Sequence, residues 1–92
     1  SRIPVYSGSI DHITGIIYAK DLLRHIQADN RPDAATLARP AFFATENRKL
    51  LDLLRDFQSR KVHLAVITDE FGGVRGIVTL EDVLEEIVGE ID

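Results

Sequence analysis

The residues with the clearest chemical potential are Thr79 and Asp82, in the string Gly76-Ile77-Val78-Thr79-Leu80-Glu81-Asp82. A β-branched run ends at Thr79 and a helical pattern begins at Leu80, which puts Thr79 at a strand-to-helix junction. A helix start carries backbone N–H groups with no intrahelical partner. Together with the Thr79 hydroxyl they form an anion site suited to phosphate. Asp82 follows about one helical turn on. Its carboxylate can accept both hydroxyls of a ribose, as acidic residues do at other nucleotide sites. The same spacing has a plainer reading. Thr-x-x-Asp resembles a capping box, with Thr79 as N-cap and Asp82 at N3. The two readings are compatible, because the exposed helix start that Thr79 caps is also where a phosphate would sit.

Apolar spacing supplies the elements that must position this pair. Residues 1–6 read as extended, with Pro4 marking an edge or a strand start. Ser7-Gly8-Ser9 is turn-like, and Ile13 to Tyr18 is a buried strand. From Ala19 the period changes, and Leu22, Leu23 and Ile26 share one helical face opposite Lys20, Arg24 and Gln27. Ala28 to Pro32 ends that helix. Ala34 to Ala38 forms a short turn of helix, and Ala41 to Ala44 a short strand after Pro40. Thr45 or Asn47 can cap the next helix, where Leu50, Leu53, Leu54 and Phe57 make an amphipathic stripe ending near Arg60. A strand from Val62 to Thr68 follows. The turn Asp69 to Gly73 comes next, with two glycines able to take positive φ, then a strand from Val74 to Val78. The last helix runs from Leu80 to Val88, with Val83, Leu84, Ile87 and Val88 inward, Glu85 and Glu86 in water, and Gly89 as C′ residue. The order β-β-α, then β-α-β-β-α, predicts an α/β or α+β fold of helices packed on short sheets.

The chain repeats itself. A shift of 61 residues without gaps lays Gly15 on Gly76, Asp21 on Asp82, Leu23 on Leu84, Ile26 on Ile87 and Val5 on Val66. Shared apolar spacing alone would not place a Gly and an Asp at common offsets, so a true internal repeat is expected. The second copy is preceded by a strand and a helix that the first lacks, which predicts that the initial half of the first repeat is missing.

Composition limits the function. The chain is 45% hydrophobic and 28% charged, as a globular protein is. Its net charge of −4 argues against backbone-driven nucleic-acid binding. The basic pairs Arg48–Lys49 and Arg60–Lys61 read as solvated. With no Cys there are no disulfides and no thiolate chemistry. No apolar run could cross a bilayer and no stretch reads as a signal peptide, so a soluble module is expected. His12, His25 and His63 lack metal-ligand spacing, so no metal site is expected. Asp69 and Glu70 read as turn polarity. An enzyme is not expected: there is no P-loop and no Ser–His–Asp pattern in a recognisable turn.

The near-60-residue period, the element order and the string Gly-Ile-Val-Thr-Leu-Glu-Asp together resemble a cystathionine-β-synthase (CBS) domain pair. SRIPVY, GIIYAKDLL, LARPAFF and the long string KLLDLLRDFQSRKVHLAVITDEFGGVRGIVTLEDVLEEIVGEI narrow the resemblance to the CBS pair of the magnesium and cobalt efflux, haemolysin-like family (CorC/HlyC type). The resemblance implies a tandem pair: 1–29 as the second half of the first repeat, 30–38 as linker and 39–92 as the second repeat. It further implies a cytosolic regulatory module on the cytoplasmic face of a divalent-cation transporter, binding ATP (with Mg²⁺) or AMP and pairing as a homodimer. In that family Thr79 and Asp82 fall on the nucleotide motif. By resemblance, adenine sits against Pro40, Ala41 and Phe42 and the strand start Val62, His63 and Leu64. Glu81 is near enough to meet a nucleotide-bound Mg²⁺.

The first repeat departs from the motif. It reads Gly15-Ile16-Ile17-Tyr18-Ala19-Lys20-Asp21, so a bulky phenol replaces the small hydroxyl. One working site is therefore expected, on the second repeat. Lys20 reads as a solvated helix residue, or as a phosphate contact across the pseudo-twofold axis. The alternative function is a structural dimerisation module that keeps the fold without a ligand.

Overall fold

Pro4 shows how the first strands are built. The computed structural model describes residues 2–27 and 33–89, in two units that divide between Ala41 and Phe42. In the first unit, β1 (Arg2–Ser7) and β2 (Ser9–Tyr18) form an antiparallel ribbon turned at Gly8, whose φ is +82°. Pro4 lies opposite Ile16. It has no N–H to give, and Ile16 asks for none, because both Ile16 backbone groups turn the other way and bond Arg39 at 2.8 Å. That bridge lays the chain at Arg39 along the outer edge of β2. Gly15 makes it possible: a Cβ there would stand 2.7 Å from the Arg39 carbonyl oxygen. Helix α1 (Ala19–Gln27) follows β2, and the short α2 (Ala34–Leu37) is capped by Asp33, whose Oδ1 accepts from the Thr36 amide at 3.0 Å. The expected helix-ending stretch from Ala28 to Pro32 lies outside the described residues.

The second unit is a three-stranded sheet with two helices. It contains β3 (Phe42–Thr45), α3 (Leu50–Arg60), β4 (Leu64–Thr68), β5 (Val74–Thr79) and α4 (Leu80–Gly89), with strand order β3-β4-β5. β3 and β4 are parallel and joined through α3, whereas β4 and β5 form an antiparallel hairpin. Leu53, Phe57, Ala65 and Val83 are the buried centre, where the Phe57 ring meets Phe42 edge-on at 6.1 Å. The mixed α/β architecture agrees with the sequence reading.

Three local expectations are corrected. The N-cap of α3 is Lys49, with no side-chain cap bond, instead of Thr45 or Asn47. β3 runs on through Thr45, which pairs with Thr68, so the turn sits later than expected. Leu84 and Val88 are not inward: they are 43% and 63% exposed, while Val83 is buried and Leu80 and Ile87 pack beside it. A ten-residue helix lying on a small sheet buries one narrow stripe, and Leu84 and Val88 flank it. In the same way Leu22, Leu23 and Ile26 share a face of α1 yet are all exposed. In the β4–β5 turn only Gly72 takes positive φ, +85°. Gly73 is needed for another reason: a Cβ there would meet the Asp69 carboxylate at 2.9 Å.

The repeat is present with one change of register. Thr14 and Arg75 are each skipped by their ladder, at the offset of 61 that also relates Gly15 to Gly76. Val5, however, faces Gly15 as Ile67 faces Gly76, so β1 aligns with β4 at an offset of 62. The ungapped match of Val5 to Val66 is therefore off by one. The ribbon of the first unit has one more residue between its paired strands, and a gap belongs there.

Candidate functional site

Strand direction gathers most of the expected residues at one edge of the second sheet. β3 and β4 both start there, and the antiparallel β5 ends there, with Phe42 opposite Ala65 and Leu64 opposite Thr79. Val62 and His63 lead into β4 at the same edge. The His63 carbonyl accepts the Leu80 amide at 2.8 Å and so ties the strand entry to the helix start. His63 Nδ1 also lies 3.7 Å from Glu81 Oε1, with both side chains more than half exposed.

At the junction, Thr79 and Asp82 form the reciprocal pair read from their spacing. The Asp82 amide donates to Thr79 Oγ1 at 3.2 Å, and the Thr79 amide donates to Asp82 Oδ2 at 3.2 Å. The capping role is thus realised. The Thr79 hydroxyl keeps its own O–H for donation, and Asp82 Oδ1 accepts no bond among the described residues. What the edge offers is a hydroxyl donor, an open carboxylate oxygen and a flat half-buried ring at Phe42.

Sequence reasoning missed Arg60, which read as solvated. Its guanidinium stands 4.6 Å from the centroid of Phe42, at the same edge. The αL conformation of Lys61 (φ 54°) ends α3 just after Arg60 and turns the chain toward Val62. An Arg that closes a helix before a strand entry was the available signal. Arg48 was also read as solvated, but it forks onto Asp56 at 2.9 and 3.0 Å and holds that carboxyl below the usual aspartate range.

Pro40 and Ala41 belong to the first unit and precede Phe42 directly in the chain. Lys20 is exposed on α1, its Nζ 5.9 Å from the Tyr18 ring centroid. Asp21, which corresponds to Asp82, is engaged by Arg39: Nε and Nη2 each donate to one carboxylate oxygen at 2.8 Å. That fork holds the Asp21 carboxyl below its ordinary value. A cavity of about 500 Å³ also lies in the first unit, lined by Val5, Tyr6, Thr14, Asp33 and Ala38 among others. None of the expected site residues borders it.

Residues 34–89 match the family model of the CBS domain. The chain belongs to the CBS domain family. This CBS chain is 45% identical over 93 residues to the magnesium and cobalt efflux protein CorC of Vibrio cholerae, covering 100% of this chain and 32% of CorC. A solved CBS domain of a bacterial CNNM/CorC family Mg²⁺ transporter in complex with ATP has 49% identity and a TM-score of 0.82 over 99% of this chain and 66% of that one. A CBS-domain pair from Klebsiella pneumoniae with bound AMP has 30% identity and a TM-score of 0.81 over 96% of this chain and 72% of that one. The chain spans about a third or less of the length of these curated relatives. Among the described residues no helix is long and apolar enough to cross a membrane.

Proposed function

We propose that this CBS chain is the regulatory adenine-nucleotide-binding module of a divalent-cation transporter of the magnesium and cobalt efflux type. The observation that carries the reading is the sheet edge where strand direction gathers Phe42, Leu64 and Thr79, with His63 and Asp82 tied beside them by hydrogen bonds. Solved relatives that hold ATP and AMP support it. In this reading the Thr79 hydroxyl donates to a phosphate and Asp82 accepts from the ribose. The adenine lies against the second unit at Phe42 and at Val62, His63 and Leu64. Glu81 meets the Mg²⁺ that accompanies ATP. The module pairs as a homodimer at the cytoplasmic face of the membrane. Nucleotide alters transport by binding two shapes of the module with different affinity. The proposed role is regulatory, with no catalytic step.

One observation favours a second reading, a dimerisation module without a ligand. The amides of Thr79, Leu80 and Asp82 already donate to protein acceptors, so a phosphate would have to share or displace them. A thermal-shift series separates the two. ATP or AMP, with and without Mg²⁺, at about 100 times its Kd stabilises by roughly 2.7 kcal/mol in the sensor reading. Thr79→Val and Asp82→Ala remove that shift. An unmoved melting curve at millimolar nucleotide leaves the dimerisation module.

A further inference from the structure

Arg60 is placed unlike the other arginines of the second unit. Arg48 forks onto Asp56 at 2.9 and 3.0 Å, Arg75 meets Glu46 at 3.1 Å and Arg55 reaches Asp52 at 3.9 Å. Arg60 has no carboxylate oxygen within 4 Å among the described residues, and Asp56, one turn back on α3, already gives both its oxygens to Arg48. The Arg60 guanidinium is set instead 4.6 Å from the centroid of Phe42. Both partners are fixed from the protein side. Buried Phe57 meets the Phe42 ring edge-on at 6.1 Å, and left-handed Lys61 ends α3 directly after Arg60. Phe42 is half-buried and Arg60 is exposed, so the guanidinium covers the ring from the solvent side. Thr79 lies two strands away, on β5 across β4, at about 10 Å by the usual strand spacing.

We infer that Arg60 is the base platform of this edge: its guanidinium, backed by the Phe42 ring, stacks against the purine of the bound nucleotide. The inference rests on the nucleotide reading of Thr79 and Asp82, and it adds the residue that holds the base. A guanidinium is planar and weakly hydrated, and it stacks on aromatic faces. Unstacked bases lie on such planes as they lie on aromatic side chains. A base that approaches Phe42 therefore meets Arg60 first. The Arg60 N–H donors, with no carboxylate to bind, are left to give hydrogen bonds to acceptor nitrogens of the base. Lys in the same place would keep the charge and lose both the plane and the fork. The effect is on the base and not on the phosphate, because Thr79 lies beyond the screening length of about 8 Å at physiological salt.

The test titrates AMP calorimetrically, at about 0.15 M salt, into the full chain and into its Arg60→Ala and Arg60→Lys variants. The Arg60 Nε–H resonance is followed by NMR. The expected result is a loss of affinity of about fivefold or more in Arg60→Ala. In Arg60→Lys most of that loss remains, because the charge alone does not make the platform. The Arg60 resonance moves when AMP is added and stays in place with inorganic phosphate, a response that a residue merely supporting Phe42 would not give. AMP affinity within about twofold of wild type in Arg60→Ala, full rescue by Arg60→Lys, or an Arg60 resonance unmoved by AMP overturns the platform and leaves the nucleotide site standing. A wild-type chain that binds no AMP overturns the nucleotide reading, and the platform with it.

Discussion

Thr79 and Asp82 each give a backbone amide to the other's side chain, both at 3.2 Å, across the junction of β5 and α4. The pair satisfies donors that the start of α4 would otherwise leave open, and it fixes the rotamers of both side chains. The remaining Thr79 O–H and the second Asp82 oxygen therefore point from a set geometry. The cap and the proposed binding edge are one arrangement seen from two sides.

The cap is separable from the hydroxyl's size. Thr79→Ala removes the acceptor for the Asp82 amide and is expected to cost about 0.5–2 kcal/mol. For a domain of this size each 1 kcal/mol lowers Tm by about 4–8 °C. Thr79→Ser keeps the acceptor and retains most of the stability. Thermal denaturation of the three proteins checks this, and an Ala variant as stable as wild type shows that the bond from the Asp82 amide to the Thr79 hydroxyl contributes nothing.

Burial separates residues that look alike in sequence. Phe57 is 1% exposed at the centre of the second unit, so Phe57→Ala is expected to cost about 3–5 kcal/mol. Leu84 lies on α4 beside the buried stripe, and Leu84→Ala is expected to stay within about 0.5 kcal/mol in the monomeric chain. Urea unfolding gives both values. A large loss at Leu84 would mean that its face is covered in solution.

Much of this was legible because it depends on local chemistry. The strand-to-helix junction at Thr79, the stripe of Leu53 and Phe57, and the repeat through Gly15 and Asp21 all follow from spacing. The direction of β5 follows from the short turn held by Asp69, whose Oδ1 accepts the Phe71 and Gly73 amides at 2.9 and 2.8 Å. What sequence could not supply were contacts chosen by tertiary packing. Arg39 meets Asp21 across 18 positions of chain, and no periodic pattern marks such a pair. Arg60 meets Phe42 across 18 positions of chain, at the end of α3 where Lys61 turns left-handed. The inward assignment of Leu84 and Val88 failed because hydrophobicity gives the width of an apolar face, and the sheet decides how much of it is covered.

Gly15 carries a steric prediction. Its place opposite Val5 lies beside the Arg39 bridge, and an added Cβ would also stand 2.9 Å from the Ala38 Cβ. Gly15→Ala must therefore push the 38–39 segment off β2, at an expected cost of roughly 1–3 kcal/mol. Hydrogen exchange reports it directly: the Ile16 and Arg39 amides, each held at 2.8 Å, should lose protection together. Unchanged protection at both positions would show that the segment accommodates a methyl group.

Acid sensitivity follows from three carboxylates held below their ordinary value of 3.8: Asp21 by the Arg39 fork, Asp56 by the Arg48 fork, and Asp33 by the Thr36 hydroxyl and amide. A lowered folded-state value means that the folded chain binds protons less readily than the unfolded one. The stabilisation is therefore complete above the unfolded value and is lost as pH falls through the folded values. Stability from these groups should be flat from neutrality to about pH 5 and fall below about pH 4. The two forks are ion pairs open to solvent, so added salt weakens their share, while the Asp33 cap, a hydrogen bond to neutral partners, is less affected. In the double variant Asp21→Asn, Asp56→Asn there is no carboxylate to protonate at either fork. Its urea midpoint should start lower at pH 7 and fall less steeply between pH 4 and pH 2.5 than that of the wild type. Parallel curves for the two proteins across that interval would show that the forks seen at Arg39 and Arg48 do not persist in solution.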